Sequence, residues 1–188
     1  MPELSEDTRL VSAARDGDRA AFGRLYDRYA PMVHGVLLAR VPPGEVDDLV
    51  QDVFMVALRR LSTLRKNDRF GAWLAAIARN RANDYHRHSV AGDQVPDDTS
   101  DEDVASRSTR GGDEGQAAEI IEAVKSLPDA YSETLILRLV EGMTGPEIAA
   151  RTGMTHGSVR VNLHRGMQQL RAKLSSRPSS NGLEQEIP

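Results

Sequence analysis

The chain contains no cysteine, which excludes disulfides and thiolate-held zinc and fits a reducing compartment. No uncharged apolar run approaches the roughly 18 residues that a membrane-spanning helix needs. The start, Met1-Pro2-Glu3-Leu4-Ser5-Glu6-Asp7, is acidic and lacks the apolar stretch of a secretory signal. A cytoplasmic protein without a membrane span is the expectation. Catalytic signatures are missing too. There is no Gly-rich phosphate loop ending in Lys-Ser/Thr and no Gly-x-Ser-x-Gly elbow. His86 and His88 are two apart and diverge on a helix, as do the adjacent acids Asp47 and Asp48. His156 and His164 have no third ligand close in sequence. The expectation is no enzyme, no metal and no cofactor.

What is present is an uneven distribution of charge. The 188 residues carry a net charge of -4, which argues against an indiscriminate nucleic-acid binder. From Thr144 to Leu174, however, Arg151, Arg160, Arg165, Arg171 and Lys173 are opposed by Glu147 alone. Upstream, Asp93, Asp97, Asp98, Asp101, Glu102, Asp103, Asp113 and Glu114 crowd a stretch relieved only by Arg107 and Arg110. A basic module therefore adjoins an acidic segment.

No internal repeat and no alternating strand pattern occurs, and helical periodicity dominates. Ser5 reads as an N-cap followed by Glu6 and Asp7, and that helix stops at Asp16-Gly17. Asp18 caps the next, which carries Phe22, Leu25, Tyr26, Tyr29, Val33, Val36 and Leu37. Pro31 is expected to kink or split it. After Pro42-Pro43-Gly44 a third helix spans about 45–61, with Val46, Leu49, Val50, Val53, Ala57 and Leu61 inward. Residues 65–68 read as a loop. A fourth helix spans about 69–87, with Phe70, Trp73, Leu74, Ile77 and Ala78 inward. Ile120, Ile121 and Val124 mark the resumption of helix near Gln116. Leu127-Pro128 opens another helix, with Tyr131, Leu135, Ile136, Leu139 and Val140 on its apolar face. The expected fold is all-α, with two small helical domains, 1–90 and 116–175, joined by a flexible acidic linker at 91–115 and followed by a disordered tail at 176–188.

Between Thr144 and Arg165 lies a helix-turn-helix pattern. Thr144-Gly-Pro-Glu147 fits a capping box with Pro146 early enough to be tolerated. Ile148 points inward, Ala149 permits a close helix crossing, and Gly153 supplies a turn with positive φ. Met154 fills the corner, and Val159 holds the second helix. That helix begins near Thr155, and His156, Arg160, Val161 and His164 share its outer side. Such a face can enter a major groove, while Arg165, Arg171 and Lys173 suit phosphates. A helical hairpin with a solvated basic face is the plainer alternative.

The N-terminal half narrows the reading. Gly17-Asp18-x-x-Ala21-Phe22-x-x-Leu25-Tyr26, Asp47-Asp48-Leu49-Val50-Gln51-Asp52-Val53-Phe54 and Phe70-x-x-Trp73-Leu74-x-x-Ile77-Ala78-Arg79-Asn80 together resemble conserved region 2 of bacterial sigma factors. The helix-turn-helix behind Leu127-Pro128 resembles region 4. Two such modules with only a short linker between them resemble the extracytoplasmic-function (ECF) group. The resemblance covers about residues 8–90 and 117–174. It implies core RNA polymerase as partner, through the β′ clamp helices and the β flap, promoter DNA as ligand, and an anti-sigma protein as a plausible inhibitor. Asp48, Gln51, Asp52, Met55 and Arg59 share one face of the third helix, which by resemblance docks on core. Arg65, Lys66, Asn67 and Arg69 of the loop, with Arg79, Asn80, Asn83 and Arg87 of the fourth helix, would hold the downstream (minus-ten) promoter element. Thr155, His156, Ser158, Arg160, Val161, His164 and Arg165 would read the upstream element. Trp73 could be a stacking platform, although its stripe marks it as core.

The sequence departs from the family pattern at Thr152, where a larger apolar residue is usual, and at Asp52, where Glu is. His156, Val161 and Asn162 are uncommon on a recognition helix. The alternative function is a free-standing two-domain helix-turn-helix regulator that never joins polymerase. The paired faces at Asp48–Arg59 and Arg79–Arg87 disfavour it, and a helical adaptor that touches no DNA leaves the basic segment unexplained.

Overall fold

In the computed structural model, residues 5–92 and 112–176 are described, with side chains for 5–88 and 115–176. The expected flexible linker and tail fall largely outside these residues. Among the described residues all regular structure is helical.

Helix α1 (Glu6–Arg15) starts where expected. The Ser5 hydroxyl accepts from the Thr8 amide at 3.3 Å, with Glu6 and Asp7 in the first turn, where acids complement the helix dipole. Gly17, at φ 98°, makes the turn. Asp18 then caps α2 (Arg19–Leu38) by accepting from the Ala21 amide at 3.0 Å. This helix runs unbroken through Pro31. Both Pro31 and Asp27, whose carbonyl loses its partner, lie on the exposed side, so water can satisfy the orphaned group. Arg28 ties the two helices together through Glu6 and Asp7, and the Tyr29 hydroxyl donates to Asp7 at 2.7 Å. Burial of the Tyr29 phenol and its bond to the Asp7 carboxylate both raise its pKa.

Helix α3 (Val46–Arg60) buries Val46, Val50, Val53, Phe54 and Ala57 against α2 and α4. Two short 3₁₀ turns, Leu61–Thr63 and Asn67–Arg69, then lead into α4 (Phe70–Gly92). Tyr29, Phe70 and Trp73 pack in series, the first pair edge to face and the second tilted, with ring centroids 5.2 and 5.9 Å apart. Trp73 is half-buried and packs on the core, which favours the packing role expected of its stripe.

The second module comprises α5 (Gly112–Lys125), α6 (Asp129–Leu139), α7 (Gly145–Thr152) and α8 (His156–Ser175). Helix α6 is its centre, packed on α5, α7 and α8. Gly166 of α8 admits the Leu135 and Tyr131 side chains so closely that a Cβ there would stand 3.0 Å from Leu135.

The two modules pack against each other: α2 meets α6 and α7, and α4 meets α7. Ser132 through Leu137 of α6 are consequently all buried, Glu133 and Thr134 included, while Leu139 and Val140 are 50% and 45% exposed. The expected inward face of this helix is therefore only partly right. Single-helix periodicity finds the face turned toward a helix's own module, and cannot see a second surface covered by a distant segment.

Candidate nucleic-acid interface

The helix-turn-helix forms as its local chemistry dictates. Thr144 closes a reciprocal capping box: its amide donates to the Glu147 carboxylate at 2.8 Å and its hydroxyl accepts from the Glu147 amide at 3.4 Å. Those bonds from Thr144 hold the Glu147 carboxyl below its ordinary pKa. Gly153 adopts the left-handed conformation at φ 76°, which a side chain disfavours. Ile148, Ala149 and Val159 are buried. The departure at Thr152 is accommodated: this buried hydroxyl donates to the Ile148 carbonyl at 2.6 Å and accepts from the Met154 amide at 3.4 Å. A polar atom in the corner is thus bonded, which removes the burial penalty.

Thr155 caps α8 by accepting from the Ser158 amide at 3.0 Å. Thr155, His156, Ser158, Arg160, Val161, His164 and Arg165 are all exposed, so the structure gathers the expected upstream-reading residues onto one end and one side of this helix. Asn162 turns the other way, its amide donating to Thr134 at 3.4 Å. Arg171 is exposed on the same helix. Lys173 is exposed too and donates to Ser126.

On α3, Asp48, Gln51, Asp52, Met55 and Arg59 are exposed together, Met55 to 51%. Leu58 adds a further apolar side chain at 51%, a neighbour that the pattern of charged residues did not flag.

The fourth-helix set divides. Arg65, Lys66 and Arg69 of the turn and Asn80, Asn83 and Arg87 of α4 are exposed. Asn67 is half-buried and accepts from Arg15 at 3.1 Å, which fastens the turn to α1. Arg87 pairs with Asp84 one turn back. Arg79 stands apart from the rest. Its Nε and Nη2 donate to the two Glu133 oxygens at 3.0 and 2.6 Å, a two-pronged contact with a carboxylate of the other module. That bond with Glu133 raises the Arg79 pKa despite burial. Sequence reasoning missed Glu133 and its second partner, Arg40, at 2.8 Å. No local signal announces a pairing across 54 or 93 positions. Among the described residues no group of three or more His, Cys, Asp or Glu side chains could hold a metal, and no helix is long and apolar enough to cross a membrane.

Two family descriptions match this architecture: sigma-70 region 2 over residues 25–90 and sigma-70 region 4 over residues 117–170. The chain is 34% identical over 164 residues to the RNA polymerase sigma factor CarQ of Myxococcus xanthus, covering 85% of this chain and 92% of that relative. It is 29% identical over 187 residues to the ECF RNA polymerase sigma-E factor of Escherichia coli (strain K12), covering 93% and 97%. A solved structure of CnrH in complex with the cytosolic domain of CnrY aligns with a TM-score of 0.63 at 25% identity, covering 92% of this chain and 99% of that one. The chain belongs to the sigma-70 family, and within it to the ECF sigma factors of RNA polymerase. Its place is therefore in transcription initiation, and the free-standing regulator falls away as an alternative.

Proposed function

We propose that the chain works in the cytoplasm as a non-catalytic subunit that brings core RNA polymerase to two promoter elements. The observation that carries this reading is the joint exposure of two separate faces, the acidic and apolar α3 face and the basic side of α8. Asp48, Gln51, Asp52, Met55 and Arg59, with Leu58 beside them, dock on core at the β′ clamp helices. Acids flanking exposed Met and Leu suit a basic protein surface with an apolar centre. The C-terminal module adds contacts to the β flap. Arg160, His156, Val161 and His164 read the upstream element in the major groove, Thr155 and Ser158 lie at the helix start beside the phosphates, and Arg165 holds the backbone. Arg65, Lys66, Asn67 and Arg69 with Asn80, Asn83, Arg87 and, once freed, Arg79 hold the opened downstream strand. That task needs a positive groove. The structure of CnrH holds the cytosolic domain of a second protein, CnrY, which suits a further expectation, that an anti-sigma protein binds this chain as well.

The test is run-off transcription on genomic fragments with core polymerase, with and without the protein. Discrete new transcripts that depend on the protein are expected. The double variant Asp48→Arg, Asp52→Arg keeps its helicity and loses core binding; undiminished affinity would refute the docking face.

A further inference from the structure

The turn between α3 and α4 has few anchors of its own. It runs from Leu64 to Phe70, both buried. Between them every side chain is exposed except that of Asn67. Its regular part is one short 3₁₀ turn, Asn67–Arg69, in which the Arg69 amide donates to the Lys66 carbonyl at 3.0 Å. A 3₁₀ turn of this length has poor hydrogen-bond geometry and holds its shape weakly alone. Arg65, Lys66 and Arg69 also repel one another. A single arrangement of the turn therefore needs a constraint from elsewhere.

Helix α1 supplies it. Arg15, the last residue of α1, donates through Nη1 to the Asn67 Oδ1 at 3.1 Å, across 52 positions. Chemistry fixes which amide atom is met, because a guanidinium only donates and must face the oxygen. The helix is a stiff base for this contact. It buries Leu10, Val11 and Ala14, and its Glu6 and Asp7 pair with Arg28 of α2. Asp7 also accepts from the Tyr29 hydroxyl at 2.7 Å, and the Tyr29 ring packs edge to face on Phe70. Asp7 and Arg15, at opposite ends of α1, thus constrain the turn at Phe70 and at Asn67. A cation in the last turn of a helix complements the dipole wherever it points; Arg15 has a particular partner as well. It also precedes residues 25–90, the span that matches region 2.

We propose that Arg15 is a positioning residue for the downstream promoter element: through Asn67 it holds the turn so that Arg65, Lys66 and Arg69 meet the opened strand in one fixed arrangement. A turn ordered before it binds loses less freedom on binding, so the tether favours capture without touching DNA. The strut stands on the packing alone; its consequence for DNA rests on the function proposed above.

Arg15→Met keeps a long side chain of similar helix propensity and removes the donors. In the free full-length protein, hydrogen exchange at the Arg69 amide, read by nuclear magnetic resonance, is expected to quicken several-fold, and Arg15→Lys to restore most of the protection. Unchanged exchange in Arg15→Met overturns the strut. With core polymerase and a promoter found by run-off transcription, fragments singly substituted in either element then compete for binding. Arg15→Met is expected to lose several-fold in discrimination at the downstream element and none at the upstream one, which a general loss of stability would not produce. In an Asn67→Ala chain the same substitution is expected to change nothing further. An equal loss on every fragment that persists in the Asn67→Ala chain would make Arg15 a phosphate contact and overturn the positioning role. The pair Arg65→Ala, Lys66→Ala tests the turn itself. If that pair weakens downstream discrimination and Arg15→Met loosens the turn without doing so, positioning is overturned. If that pair leaves discrimination intact while Arg15→Met loosens the turn, the strut is upheld and the assignment of the turn to the downstream element fails.

Discussion

Arg160 and His34 illustrate two kinds of single-residue consequence. Arg160 is exposed on the outer side of α8, one turn in from the Thr155 cap, where a guanidinium can bond two acceptors on a guanine edge. Arg160→Ala is therefore expected to cost about 1–3 kcal/mol in promoter binding and to relax selectivity at one base pair. Competition among singly substituted promoter fragments measures this, and an equal loss on every fragment would reassign Arg160 to the phosphates. His34 lies in the joint between the two modules, its Nδ1 2.6 Å from a Glu141 oxygen. That bond raises the His34 pKa, Asp47 of α3 adds to the effect, and burial opposes it. The charged ring thus favours the packed form. Its contribution is complete below the ordinary value of about 6.5 and is lost as pH rises through the raised value. Melting temperatures across that interval are expected to fall less steeply for His34→Gln than for the parent, and parallel slopes would exclude the pair as a titrating contact.

At the scale of elements, local rules carry far. Ser5, Asp18, Thr144 and Thr155 each cap the helix that the sequence predicts for them, because a cap is settled within four residues. Thr144→Ala removes one half of a capping box and is expected to cost about 1 kcal/mol, or roughly 2–4 °C in melting temperature for a chain of this size. Thermal unfolding decides it, and an unchanged midpoint would mean that packing of Ile148 alone holds α7. Legibility ends where an element's neighbours lie far away in sequence. Pro31 reads as a kink or a split, and the split does not occur: α2 passes through it, because the lost bond falls on the solvent side. Arg79 reads as a DNA contact from its helix face, yet Glu133 holds it. The spacing of α6 reveals Leu135 and Ile136 as core but gives no reason to bury Ser132, Glu133 and Thr134. The candidate site is correspondingly divided. The exposure of the α3 and α8 faces depends on one helix each and is readable apart from Leu58, whereas the α4 face depends on what covers it.

For the whole molecule, the joint decides how many cooperative units the chain contains. Two modules tethered by a linker alone would unfold separately, each with the marginal stability of a small domain. Here Leu37, Leu137 and Ile148 are fully buried within one continuous core that takes residues from both modules, so exposing either module uncovers apolar surface on the other. The protein carries a single tryptophan, Trp73, in the N-terminal module, and its neighbour Ala72 touches the joint at Gly153. Tryptophan fluorescence therefore follows the N-terminal module, while circular dichroism follows helices of both. In urea the two signals of the parent are expected to share one midpoint, the mark of a single transition. In Glu133→Gln, with the charge paired to Arg79 and Arg40 gone, the midpoints are expected to separate, with fluorescence reporting one module and the ellipticity showing two steps. Separate midpoints already in the parent would mean that the modules touch without stabilising each other, and the buried carboxylate between them would then select an arrangement without holding it.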